Sequence, residues 1–109
     1  MAIDDAWEKF SSELRFALVS DASPQERLSG LISGVRHLQR DSFPDERVWD
    51  EFRKLVNETT KRTVGYQAEG RIDATTSQMS DEKAKEYLRA AFDIFAHVAK
   101  AFGRTEFVI

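Results

Sequence analysis

Cysteine is absent from this 109-residue chain, which excludes a disulfide scaffold, a thiolate zinc site and cysteine catalysis. Long apolar runs are absent too: no stretch approaches the roughly 18 consecutive apolar residues of a membrane helix. The first residues, Met1-Ala2-Ile3-Asp4-Asp5, lack the basic start of a secretion signal. These absences point to a cytoplasmic protein with no membrane partner. A surplus of positive charge is also missing. Sixteen basic against nineteen acidic side chains give a net charge of −3, too balanced to imply a polyanion-binding surface. Residues 1–22 carry that negative balance, and the remainder is close to neutral.

What remains suffices for a core. Apolar residues make up 41% of the chain and aromatic residues 11%, well above a disordered composition. The length suits one domain spanning residues 1–109, large enough to bury roughly 60–70% of the unfolded chain's surface without staples.

Four segments repeat apolar residues at helical spacing, and they predict helices over about 4–20, 24–40, 43–64 and 81–102. In the first, Ile3, Trp7, Phe10, Leu14 and Ala17 share a face, with Leu18 beside them. The second opens with Ser23-Pro24-Gln25-Glu26, a capping-box pattern with proline at the first helical position. Its apolar face is Leu28, Leu31, Ile32, Val35 and Leu38. The third starts near Ser42-Phe43-Pro44-Asp45, where proline fits only the first turn. Val48, Trp49, Phe52, Leu55, Val56 and Thr59 follow on one side. Ser80, followed by Asp81 and Glu82, starts the fourth. Ala84, Leu88, Ala91, Phe92, Phe95, Val98, Ala99 and Phe102 form its stripe, and Gly103 is a natural stop.

The expected fold is therefore an all-α, mainly antiparallel four-helix bundle. A long connection, residues 64–79, joins helices three and four. Either helix three continues to about Ala68, or Tyr66, Arg71, Asp73 and Thr76 form a recognition loop. Only the last four residues alternate in a strand-like way.

Several residues fall off the expected faces. At 100° per residue, Phe16 lies about 180° from Trp7, and Val19 is also away from the core stripe. On the fourth helix, Ile94 joins Tyr87, Ala90 and Ala101 in a second apolar strip. A helix apolar over more than half its circumference is buried on two sides, either by a central position in its own bundle or by a partner helix across an interface; the second is preferred, with Phe16, Val19 and Ile94 as candidate anchors between copies. Gly30 and Gly34 sit one turn apart in helix two. Each costs about 0.5–1 kcal/mol against alanine there, a cost that close approach by another helix offsets. The apolar Phe107-Val108-Ile109 either folds back on the bundle or docks into a partner, which adds Phe107 and Ile109 to the contact set.

Chemistry near neutral pH is limited to two histidines. His37 with Asp41, and His97 with Asp93, are spaced one turn apart on polar faces, as ordinary ion pairs are. The segment His37-Leu38-Gln39-Arg40-Asp41 resembles the phosphorylated segment of histidine phosphotransfer domains, with basic Arg40 three positions after the histidine. It departs from that pattern at Asp41, where those domains carry glycine and where an acid repels a phosphoryl group. No nucleophile elbow, phosphate-cradling loop or His-Glu-x-x-His pair occurs, so no catalytic residue, metal or cofactor is assigned. The reading that follows is a non-enzymatic protein–protein interaction or assembly module, a small regulator, inhibitor or complex subunit, acting as a homodimer or within a larger assembly. A nucleic-acid contact through Arg36, His37 and Arg40, with Tyr66 and Arg71, is the alternative, and phosphotransfer through His37 is the third.

Overall fold

Short polar side chains that accept from otherwise unpaired first-turn N–H groups start three of the four helices. The computed structural model describes residues 2–60 and 75–103, with side chains from 6 to 60 and 75 to 101. Helix α1 covers Ala2–Val19, α2 Pro24–Val35, α3 Glu46–Thr59 and α4 Asp81–Gly103. The described residues contain no strand.

At α2 the Ser23 hydroxyl accepts from the Glu26 N–H (3.2 Å), and the Glu26 carboxylate accepts from the Ser23 N–H (3.3 Å). This is the expected capping box, with Pro24 at the first turn. Ser80 accepts from the Lys83 N–H at 3.1 Å and caps α4 as expected. At α3 the cap is Asp45, whose carboxylate accepts from the Val48 N–H at 3.0 Å. The helix thus begins at Glu46, later than the 43 read from the sequence, because the aspartate rather than the proline sets its first turn.

Helix α2 stops at Val35 instead of running to 40. Arg36 caps it, and a single 3-10 turn, Arg40–Ser42, follows. The break delivers Phe43 into the core, where it is buried against Phe52 at 4.6 Å between ring centroids. Burying a phenylalanine is worth about 1.5–3 kcal/mol. Helix α3 ends at Thr59, short of the expected 64 and of a continuation to Ala68, where the Thr59 hydroxyl donates to the carbonyls of Leu55 and Val56 and Thr60 caps the last turn. Residues 61–74, which hold most of the expected long connection, lie outside the described residues, as do the last six. Thr75 and Thr76 are helical and buried, so Thr76 is not part of an open loop.

The four helices pack around one core. Helix α1 lies against α2 and α4, and α3 lies chiefly against α4. Phe10 of α1 is fully buried and meets Phe52 of α3 edge-on at 5.9 Å and Phe95 of α4 at 6.5 Å. Leu28, Leu31, Ile32 and Val35 fill the α2 side. Polar contacts pin the start of α4 to α2, where the Gln25 amide donates to the Met79 carbonyl (3.0 Å) and the Asp81 carboxylate (2.9 Å).

Candidate protein-contact surface

The core stripe of α1 is narrow, and what it leaves outside is apolar. Ala6, Phe10, Leu14 and Ala17 turn inward, while Phe16 and Leu18 are each 68% exposed and Val19 is 80% exposed. A helix advances 100° per residue, so Phe16 and Val19 fall well away from Leu14, whereas Leu18 lies only about 40° from it. Phe16 and Val19 are exposed as their positions on the wheel require. Leu18 was read beside the core stripe, yet it turns out to the solvent side.

Helix α4 extends this surface. Phe92 was expected in the core but is 43% exposed. A groove runs between it and Leu18, floored by Leu14, Ala17 and Leu88 and edged by Arg27, Arg89 and Asp93. A second shallow groove follows the outer side of α1 from Trp7 to Val19. The exposed large apolar side chains at Phe16, Leu18, Val19 and Phe92 thus occupy one end of α1 and the adjoining part of α4.

Ile94 does not join them. It is only 2% exposed and belongs to the core, so its assignment to an interface between copies is corrected. The apolar strip it heads on α4 is used by α3: Ile94 and Tyr87 line a groove with Leu55 and Glu58 of that helix. A helix apolar over more than half its circumference is here packed against three helices of its own chain, α1, α2 and α3. At the same groove the Tyr87 hydroxyl donates to the Glu58 carboxylate at 2.7 Å. Burial, followed by that bond and the charges of Glu58 and Glu86, pushes the Tyr87 pKa up to about 12. The phenol therefore holds its proton at neutral pH and serves as a donor.

The glycine pair of α2 divides. A Cβ at Gly34 would run into the Glu13 side chain of α1, so this glycine serves close packing within the chain. Gly30 is exposed and faces open space.

The basic stretch after α2 is not a helical face. His37 is exposed in the turn beyond the helix end, so His37 and Asp41 do not share a helix and His37 does not sit midway along one. Arg40 pairs with Glu46 at 3.5 Å and donates to the Phe43 carbonyl at 3.4 Å, bonds that hold the linker. Arg36 is half-buried. Tyr66, Arg71, Phe107 and Ile109 lie outside the described residues. Among the described residues, no three His, Asp or Glu side chains come together as metal ligands. No helix among them is long and apolar enough to cross a membrane.

Comparison with known proteins adds no relative. No family model, curated protein or solved structure matches this chain.

Proposed function

We propose that this chain is a non-enzymatic interaction module that docks a protein partner through the outer end of α1, with Phe16, Leu18, Val19 and Phe92 as the contact residues. The observation that carries the reading is the exposure of these four large apolar side chains along two grooves, Leu18 with Phe92 in one and Phe16, Leu18 and Val19 in the other, with Leu18 common to both. Single exposed apolar residues are ordinary, whereas a cluster rimmed by charges is characteristic of a recognition site. Arg27, Arg89 and Asp93 supply such a rim. Aromatic anchors beside guanidinium groups also match the composition of binding hot spots.

The test is a paired substitution, Phe16→Asp with Val19→Asp, in a protein whose helical content is checked by circular dichroism. Both positions are exposed, so the fold should persist. An identified partner, whether a second copy or another protein, should be bound in stoichiometric amount by the wild type and lost by the variant. Equal binding by both proteins would place the contact elsewhere and sink the reading.

A further inference from the structure

Two charges on the outer side of α1 have no complement on their own helix. Glu8 and Arg15 are both exposed and line the same outer groove. Residues three and four positions away are the neighbours on a helix surface. For Glu8 these are Asp4, Asp5, Ser11 and Ser12; for Arg15 they are Ser11, Ser12, Leu18 and Val19. Neither therefore has an oppositely charged neighbour in its own helix. Between them lie Ser11 and Ser12, small side chains that let another helix approach.

The spacing is symmetric. The midpoint of the two serines is 3.5 positions from Glu8 and 3.5 from Arg15, about 5 Å along the axis either way. A two-fold axis through that midpoint, perpendicular to the helix, brings each copy's Glu8 against the other's Arg15. It does so twice, as isologous contacts must. The same operation sets Leu18 of each copy within about 3 Å, along the axis, of the level of the other's half-buried Trp7. Both of these side chains line the outer groove.

We infer that the partner at this surface is a second copy of the chain, joined by antiparallel pairing of the two α1 helices with reciprocal Glu8–Arg15 contacts. The inference rests on the proposed contact surface and adds its occupant and register.

Sedimentation equilibrium of the full chain over about 10 to 500 µM is the test. The wild type should dimerise. Glu8→Arg opposes two pairs of arginines and Arg15→Glu two pairs of glutamates, so each variant should self-associate about tenfold more weakly. An equimolar mixture of the two variants restores both contacts and should dimerise as tightly as the wild type. That rescue is specific to this register. A wild type that stays monomeric throughout overturns the inference, as does a dimer indifferent to both reversals or a mixture with no rescue. If the wild type is monomeric but binds a different protein that Phe16→Asp with Val19→Asp abolishes, the contact surface stands and only the self-pairing falls.

Discussion

Helices α1 and α3 are both amphipathic, and they spend their apolar residues differently. On α3, Val48, Phe52 and Leu55 are buried, Trp49 and Val56 are half-buried, and no large apolar side chain is left exposed. On α1, Phe10 and Leu14 are buried while Phe16, Leu18 and Val19 point outward. The apolar residues of α3 are covered, whereas no described helix covers Phe16, Leu18 and Val19 on the outer side of α1, and that side is where the proposed contact is drawn.

The sharpest way to break this contrast is to cut the same residue type on both faces of α1. Phe10→Ala should cost about 3–5 kcal/mol, because it opens a cavity among Phe52 and Phe95. Phe16→Ala should change stability by less than about 0.5 kcal/mol. Urea unfolding of the purified proteins below the concentration at which they associate measures both. Comparable losses would mean that Phe16 belongs to the monomer's core.

Loss of the α2 cap is the next largest effect. Ser23→Ala should destabilise by about 1 kcal/mol in the same assay, and no change would show that Pro24 alone sets the helix start. Next in size, Gly30→Ala should stabilise by about 0.5–1 kcal/mol, since its Cβ meets nothing and the alanine limits the unfolded chain. Gly34→Ala should gain less, and adding Glu13→Ala should recover the difference. Equal gains at the two glycines would contradict the close approach of α1 at Gly34.

The smallest effect concerns the α3–α4 side. The Tyr87 pKa is raised in the fold from 10.0 to about 12, so the folded chain keeps a proton that the unfolded chain sheds. The resulting stabilisation is complete below pH 10 and fades as pH rises through about 12. Tyr87→Phe should flatten that alkaline decline in stability, and an unaltered slope would remove Tyr87 as its source.

Much of the fold is legible from spacing and caps. The capping box at Ser23, the Ser80 cap and the buried stripes of α2 and α3 follow from local rules, because hydrogen bonds to the first turn and the 3.6-residue period need no distant partner. The helix ends were less legible. Residues 36–40 are compatible with continued helix, and the early stop of α2 at Val35 goes with the burial of Phe43, a contact distant from the local pattern. For the contact surface, Phe16 and Val19 stood out because they lie far from the α1 stripe. Leu18 and Phe92 did not, because each sits at the margin of an apolar face, where periodicity leaves inside and outside undecided.

The sequence by itself determined a cysteine-free, all-helical chain, with two of the four helix starts marked by the capping residues Ser23 and Ser80 and with apolar residues beyond a single stripe on α1 and α4. The tertiary structure decided which of those surplus residues are spent. Ile94 is covered because α3 packs on that side of α4, whereas Phe16, Leu18 and Val19 stay open because no helix of the described chain covers the outer side of α1. Helical period fixes the direction of a side chain relative to its own axis; whether another helix waits there depends on packing between segments far apart in the chain.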